Sequence, residues 1–235
     1  MLLDIEGTTT PVDFVYKTLF PYASTNVASF LAKRFAESEI QTIVTDLKAQ
    51  HAADVAAGFA PPEWLADRQQ EARNCAAYAQ WLMKRDSKCA PLKALQGKIW
   101  QRGYESGELH GEIYPDVALA FARWRGQGRA IAIYSSGSVL AQKLLFGSVP
   151  SGDLTRDITA FFDTAVGIKT AAESYTKIAA AMAKAPQEFL FLSDAEKEVA
   201  AAGSAGMSAA LCVREGEPVG SSTDMVTTFD EVLPR

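Results

Sequence analysis

A long helical stretch that separates one early strand from all later ones is the feature that most constrains the fold. Apolar residues recur at helical spacing from Pro11 to about Gly111, and the segment Gly58 to Pro62 interrupts them. One helix is predicted from Trp64 to Arg85, and another begins at Pro91. The stretch contains no convincing strand, so it predicts an all-helical insertion.

After Tyr114-Pro115-Asp116 the pattern changes, because helices alternate with short apolar or β-branched runs. The predicted strands are 130–134, 161–166, 189–192 and, as the last strand, 209–213. The predicted helices are 117–124, 138–146, 172–184 and 196–202, and the tail after Gly216 is expected to be rich in turns. Alternating strands and helices favour parallel pairing with helices on both faces. The sequence therefore predicts an α/β fold with a doubly wound, Rossmann-like parallel sheet.

The apolar segment Leu2-Leu3 is predicted to begin the first strand of this sheet, so the helical insertion follows that strand directly. Two domains are expected: a core formed by residues 1–14 and 111–235, and a helical cap formed by residues 15–110. Ligands of open α/β sheets bind at the carboxyl ends of the strands. An insertion at that edge can act as a lid over a bound ligand.

Composition argues against several classes of function. The chain has 235 residues, of which 48% are hydrophobic, as is typical of a soluble globular protein. A net charge of −5 without a long basic run argues against nucleic acid as a partner. The start has no basic region and no long apolar run, so we expect no signal peptide and no membrane segment. Three cysteines without a CxxC pair, and only two histidines, argue against zinc and fit a reducing cytoplasm.

Two acids follow the first strand almost without a spacer. Asp4 and Glu6 are two residues apart, so on a strand both side chains point to the same side, and Gly7 allows the chain to turn. Carboxylates in this position suit a divalent hard cation and phosphate chemistry. The alternative is that Asp4 is a turn residue and that one of the threonines 8–10 caps the next helix.

A hydroxyl-rich loop follows the strand predicted at 130–134. Ser135 and Ser136 precede a glycine and a predicted helix start, where hydroxyls and free backbone N–H groups can bind a phosphate. The alternative is that Ser136 or Ser138 is only the cap of that helix.

A lysine and a third acid follow two further predicted strands. Lys169 can place one positive charge against a phosphate, although lysines are also common on surfaces. Asp194 follows the run 189–192 and can complete a metal site, and Glu198, one helical turn further on, can return to the same edge. For Glu196 we favour the alternative, a stabilising charge in the first turn of a helix.

An acid loop, a serine, a lysine and a final acid in this order at strand ends resemble the haloacid dehalogenase superfamily of phosphotransferases. Longer stretches resemble, more narrowly, the enolase-phosphatase family, whose members are also called acireductone synthases. These stretches are 4–11, 20–22, 95–97 with Trp100, 133–138, 141–147, 162–164 and 173–175. The resemblance covers nearly the whole chain and is weakest from about Thr42 to Pro62 and after Arg214.

The resemblance implies a Mg²⁺-dependent enzyme of methionine salvage that enolises 2,3-diketo-5-methylthiopentyl-1-phosphate and then removes its phosphate, leaving an acireductone. It implies that Asp4 and Asp194 bind Mg²⁺ through their carboxylates and that Glu6 contributes its backbone oxygen. Asp4 is then the nucleophile, and Glu6 the proton donor and acceptor. The implied phosphate-binding residues are Ser135, Ser136 and Lys169. Family members are usually monomeric, so we expect a monomer.

Two departures from the family pattern are visible. Only Met1-Leu2-Leu3 precede Asp4, which indicates either a trimmed start or an unusually short central strand. Ile168 stands where some relatives carry a polar residue. The residues that could read the methylthio tail, or else only pack within the cap, are Phe20, Tyr22, Lys93, Gln96 and Trp100.

Three rival functions remain open from the sequence. A phosphatase for a sugar phosphate or a nucleotide shares every core motif and differs only in the cap. A dehalogenase needs no metal, against which Asp194 argues. A non-catalytic module on a degenerate core is disfavoured because Asp4, Glu6, Lys169 and Asp194 are all present.

Overall fold

Six parallel strands form one sheet in the computed structural model, which describes residues 1–65, 67, 70–215 and 224–234. The strands are β1 (Leu2–Leu3), β2 (Ala132–Tyr134), β3 (Ala160–Phe162), β4 (Leu190–Ser193), β5 (Ser208–Cys212) and β6 (Met225–Val226). Their order across the sheet is β3-β2-β1-β4-β5-β6, so the winding reverses at β1. The predicted doubly wound α/β fold is confirmed.

A strand of only two residues lies at the centre of the sheet. Within β1, Leu2 pairs with Ala132 of β2 on one side and with Phe191 of β4 on the other. All three side chains are fully buried, as is typical of a parallel sheet with both faces covered. Because the neighbouring strands run parallel in this register, the chain leaves all of them at the same edge of the sheet.

The α-helices of the described residues are α1 (Phe20–Arg34), α2 (Ser38–Ala56), α3 (Glu71–Lys84), α4 (Ala90–Glu105), α5 (Pro115–Gly126), α6 (Val139–Gly147), α7 (Ala172–Ala181) and α8 (Glu196–Ser204). The chain separates into two compact units, Met1–Val15 with His110–Arg235, and Tyr16–Leu109. No helix of the described ranges combines the length and the apolar character that crossing a membrane requires.

The first unit contains the sheet and α5 to α8. One part of its core joins the sheet to α7 and α8 through fully buried side chains, among them Leu2, Tyr134, Tyr175, Phe191 and Ala202. This packing fixes the strands relative to α7 and α8, and therefore also the loops that connect them.

The second unit contains α1 to α4, and its described part holds no strand. Among the side chains proposed to read the substrate tail, Phe20 and Trp100 stack on each other with ring centroids 6.2 Å apart. Trp100 Nε1 donates to Leu19 O at 2.8 Å, and the Tyr22 hydroxyl donates to Glu108 at 2.9 Å. Packing within the unit accounts for these contacts, and a part in substrate binding stays a prediction.

Two predicted helix boundaries are wrong. The helix expected from Trp64 begins at Glu71 as α3, and Trp64 and Leu65 are not helical; Asn74 Nδ2 of α3 donates to Leu65 O at 2.9 Å. Residues 66, 68 and 69 of that prediction lie outside the described residues. The helix expected to reach Lys184 ends as α7 at Ala181, since Ala183 adopts a positive φ of 53°.

Some strand predictions are also corrected. The run expected to continue to Val166 ends as β3 at Phe162, because the Asp163 carboxylate accepts hydrogen bonds from the amides of Ala165 (2.9 Å) and Val139 (3.2 Å). The strand expected at 130–134 begins only at Ala132. The strand expected at 209–213 is not the last, since β6 pairs beside it. Residues 216–223 of the tail lie outside the described residues.

Candidate active site

The loop after β1 folds back on itself. The carbonyl of Ile5 accepts hydrogen bonds from three successive amides, those of residues 8 to 10, at 2.9 to 3.2 Å. The Thr9 hydroxyl donates to Asp4 O at 3.1 Å. Because β1 ends at Leu3, Asp4 and Glu6 lie in the predicted loop after the strand, and the alternation of a strand does not set where their side chains point. The loop holds the Asp4 residue at the sheet edge with only 5% of its surface exposed.

Asp194 meets this loop from the end of β4. Its amide donates to the Thr8 hydroxyl at 3.0 Å, so Thr8 and Thr9 serve the loop itself and do not cap the next helix. Gly7 adopts a positive φ of 67°, and a Cβ at this position would overlap Asp194 Oδ2. The missing side chain leaves the Asp194 carboxylate its space beside the loop.

We expect Gly7→Ala to destabilise the protein for two separable reasons. A residue with a Cβ loses about 1–2 kcal/mol of stability in the left-handed backbone conformation. The steric overlap of that Cβ with Asp194 adds a cost of about 1–3 kcal/mol. Gly107→Ala is the matched control, because Gly107 has a similar φ of 73° and open space around its Cβ. Urea unfolding of both variants measures the difference; equal losses of stability would contradict the close fit of Gly7 against Asp194.

Lys169 reaches the same edge and connects two carboxylates. Its Nζ lies 2.5 Å from Asp4 Oδ1 and 2.5 Å from Glu198 Oε2. The three side chains are 9%, 7% and 15% exposed, respectively. Burial disfavours the ammonium, but Asp4 and Glu198 outweigh it and raise the pKa of Lys169 above its usual value. Lys169 therefore stays positively charged beside Asp4.

Glu198 and Ser193 complete this ion cluster. Ser193 Oγ donates to Glu198 Oε2 at 2.8 Å and lies 3.4 Å from Asp4 Oδ2. Burial, followed by the charge of Asp4, raises the pKa of Glu198. No definite role for Glu198 was predicted from the sequence, and Ser193 was not singled out. Helical spacing brings Glu198 back to the edge, whereas no sequence signal marked the serine.

Negative charge is in excess at this edge. Asp194 is exposed, yet partial desolvation and then the charge of Asp4 raise its pKa to about 6, with smaller contributions of the same sign from Glu198 and Glu6. Lys169 acts in the opposite direction without cancelling the shift. An added cation would therefore be stabilised beside these carboxylates.

Removing the charge of Asp194 should stabilise the metal-free protein. A carboxyl whose pKa is higher in the folded state than in the unfolded state costs stability as the pH rises from about 4 to 6, and the full cost remains above that range. We expect Asp194→Asn in EDTA to gain up to about 1 kcal/mol at pH 8, discounted for exposure, and less at pH 5. Urea unfolding at both values measures this. The exposed Asp46→Asn serves as control, and a loss of stability at pH 8 would contradict the charge excess.

The serine loop leaves β2 at the same edge. Ser135 is buried; its amide donates to Phe162 O at 3.1 Å, and its Oγ accepts the amide of Gly137 at 3.1 Å. Ser136 is half-buried. Ser138 caps α6 by accepting the amide of Ala141, so the capping alternative describes Ser138. In the register of β1 and β2, Leu3 pairs with Ile133. The next residues, Asp4 and Tyr134, are therefore level with each other, and Ser135 follows Tyr134.

The metal-ligand set implied for this edge contains two carboxylates, Asp4 and Asp194, and the backbone oxygen of Glu6. Within the described part of the chain, no group of three His, Cys, Asp or Glu side chains is placed so that it could hold a metal ion. Gly7 keeps the space beside Asp194 open, and the donors are all oxygens. These features fit a hard divalent cation such as Mg²⁺.

Arg214 supports the loop after β1 from outside the ion cluster, and no sequence pattern predicts this role. Its Nε donates to Thr8 O at 2.9 Å, and its Nη1 contacts Asp116 Oδ2 at 2.6 Å. The side chain is 5% exposed and lies between the rings of Tyr114 and Phe229, 4.5 and 4.3 Å from their centroids. Arg214 thus links the loop to the carboxyl-terminal part of the unit.

Comparison with known proteins finds likeness over the whole chain. The family model of haloacid dehalogenase-like hydrolases matches residues 1–206. The enolase-phosphatase E1 of Synechococcus elongatus is 47% identical over 99% of this chain and 96% of its own. The enolase-phosphatase E1 of Drosophila simulans is 44% identical over 100% of this chain and 90% of its own. The crystal structure of the UTR4 protein of Saccharomyces cerevisiae superimposes with a TM-score of 0.79 at 32% identity, covering 98% of each chain.

Proposed function

The chain belongs to the haloacid dehalogenase-like hydrolases, and we propose that it is the enolase-phosphatase of methionine salvage, an acireductone synthase. Its substrate is then 2,3-diketo-5-methylthiopentyl-1-phosphate, which it enolises and dephosphorylates. The observation that carries the phosphatase step is the cluster in which the Lys169 ammonium lies 2.5 Å from Asp4, at the edge that Asp194 also occupies. A carboxylate and fixed positive charge are what phosphoryl transfer to an aspartate requires.

In the phosphatase step, an Asp4 oxygen forms a bond to phosphorus as the bond from phosphorus to the substrate oxygen breaks. Glu6 gives the leaving oxygen a proton. Glu6 then takes a proton from the water that attacks the aspartyl-phosphate, which releases phosphate and restores Asp4. Lys169 lowers the repulsion between the Asp4 carboxylate and the phosphate because it holds a positive charge against that carboxylate.

The phosphate oxygens are bound by Lys169 and by the loop after β2. Ser135 and Ser136 supply hydroxyl donors there. Gln142 fixes the loop, because its side-chain amide donates to Gly137 O at 2.8 Å and to Phe162 O at 2.9 Å. A fixed loop orients the phosphate without reorganisation during the reaction.

Mg²⁺ is the proposed cofactor, held by the carboxylates of Asp4 and Asp194 and by the backbone oxygen of Glu6. When bound, it supplies positive charge for the phosphate and polarises a substrate ketone for enolisation. The enolisation proton is moved by Glu6 or by a residue of the helical unit, which is proposed to act as the cap.

Incubation with the diketone phosphate tests the function. We expect the absorbance of the acireductone and free phosphate to appear together, and EDTA to suppress phosphate release. Faster hydrolysis of sugar phosphates or nucleotides would overturn the substrate while leaving a phosphatase. Absence of Mg²⁺-dependent phosphate release from every ester would overturn the phosphatase itself.

We further propose that the enzyme acts as a monomer in the cytoplasm, with the small phosphorylated diketone as its partner and without a nucleic acid or a membrane. The net charge of −5 supports the exclusion of nucleic acid. Light scattering coupled to size-exclusion chromatography should give a mass near 25.3 kDa.

A further inference from the structure

We propose that Tyr134, Ser174 and Tyr175 form a hydroxyl clamp that positions Lys169 for the phosphatase step, an inference that rests on the proposed function. Three successive backbone carbonyls before and at the lysine each accept a hydrogen bond from one of these hydroxyls. The Tyr134 hydroxyl donates to Gly167 O at 2.9 Å, Ser174 Oγ to Ile168 O at 2.8 Å, and the Tyr175 hydroxyl to Lys169 O at 2.7 Å.

The hydroxyl clamp is itself held rigidly. Tyr134 and Tyr175 are fully buried and Ser174 is 2% exposed. The two tyrosine rings meet edge to face at 5.5 Å, and Tyr175 meets Phe191 of β4 in the same way at 5.0 Å. Tyr134 ends β2, whereas Ser174 and Tyr175 belong to α7. Two elements of the packed core therefore bind the loop 167–169.

The loop between them is fitted to the clamp. Gly167 has a φ of 145°, and a Cβ there would overlap Ser174 Oγ. Ile168 points out of the fold with 64% of its surface exposed, so its side chain contributes little to anchoring the loop. The hydrogen bonds of the hydroxyl clamp, together with the Ala171 amide that donates to Ile168 O at 3.1 Å, therefore anchor the backbone at Lys169.

The function of such anchoring follows from the lysine side chain. Lysine has a flexible four-carbon side chain, yet its Nζ must lie against both Asp4 and Glu198 at 2.5 Å. A shift of about 1 Å in a positioning contact can cost roughly 10²-fold in rate. The clamp acts through Lys169 and does not touch the substrate, so its members are positioning residues.

Substitution of single hydroxyls tests the clamp. We expect Tyr175→Phe and Ser174→Ala to lower kcat for p-nitrophenyl phosphate roughly 10- to 100-fold, with KM changed much less and the protein folded. Tyr104→Phe is the matched control, because the Tyr104 hydroxyl is buried and has no hydrogen-bond partner within the described residues. Its kcat should remain that of the parent protein.

A double-mutant cycle separates positioning from a merely structural role. If Tyr175 acts through Lys169, Tyr175→Phe should lower kcat much less in a Lys169→Ala background than in the parent. The same fold loss in both backgrounds overturns the clamp, as does an unchanged kcat in the Tyr175→Phe and Ser174→Ala single variants. Should Tyr175→Phe fail to fold, the cycle is run with Ser174→Ala. Full activity of Lys169→Ala alone would instead overturn the proposed role of the lysine.

Discussion

Asp4→Asn should abolish phosphate release, with a loss of on the order of 10⁴ or more in kcat, as is typical when a catalytic nucleophile is removed. An amide oxygen is neither charged nor nucleophilic enough to form the phosphoryl bond, and the substitution also removes one of the two carboxylates beside Lys169. The measurement is phosphate release under single-turnover conditions, recorded together with the absorbance of the enolised substrate. Radiolabelled phosphate should remain on the parent protein after acid quenching and not on the variant.

The control for this variant is Asp46→Asn, which exchanges an exposed aspartate on α2 and should leave kcat unchanged. Circular dichroism and urea unfolding establish that Asp4→Asn is folded. A folded Asp4→Asn enzyme with normal turnover would refute the assignment of the nucleophile.

Lys169→Ala should leave a folded and nearly inactive protein. Loss of one group that stabilises developing charge typically costs about 10²–10³ in rate, and here the phosphate would approach Asp4 and Glu198 without their shared ammonium. The matched control is Lys177→Ala, whose lysine forms an exposed pair with Glu173 one turn away on α7. Exposed pairs of this kind contribute less than about 1 kcal/mol, so the control should keep its activity.

The same substitution should make stability depend on pH. Without Lys169, the already raised pKa of Glu198 should rise further. When the pKa of a carboxyl is higher in the folded state than in the unfolded state, the folded protein loses stability as the pH rises above the unfolded-state pKa. Lys169→Ala should therefore lower the free energy of unfolding by about 3 kcal/mol at pH 8. The loss at pH 5 should be smaller. An equal loss at both values, measured by urea unfolding, would mean that Lys169 does not neutralise Glu198.

The positions of Asp4 and Asp194 were predictable because each directly follows a buried strand, and such strands end at one edge of a parallel sheet. Lys169 was expected just after a strand that reaches Val166, but β3 is only half-buried and ends at Phe162, so the lysine reaches Asp4 from a longer loop than predicted. The family resemblance then supplied roles that spacing could not. The catalytic roles themselves stay predictions.

The contacts that refine the site were not predictable, because no sequence pattern pairs Thr8 with Asp194 or with Arg214. Thr8 binds the amide of Asp194, and Arg214 binds the carbonyl of Thr8, across separations of 186 and 206 residues. A different cause, a side-chain contact that apolar content does not show, explains the error at β3. Apolar content continued the strand to Val166, whereas the Asp163 carboxylate turned the chain after Phe162.

The Arg214 link has a consequence for the design of shortened or tagged forms of the enzyme. Asp116, which holds the guanidinium, also accepts the Thr228 hydroxyl at 3.0 Å and the Phe229 amide at 2.5 Å. Deletion from Thr228 onward would strip this carboxylate of two donors and uncover the Phe229 side of the arginine. Loss of these contacts would loosen the Arg214 hydrogen bond to Thr8, beside the proposed metal ligands. The carboxyl-terminal segment should therefore not be shortened, and an affinity tag there needs a spacer.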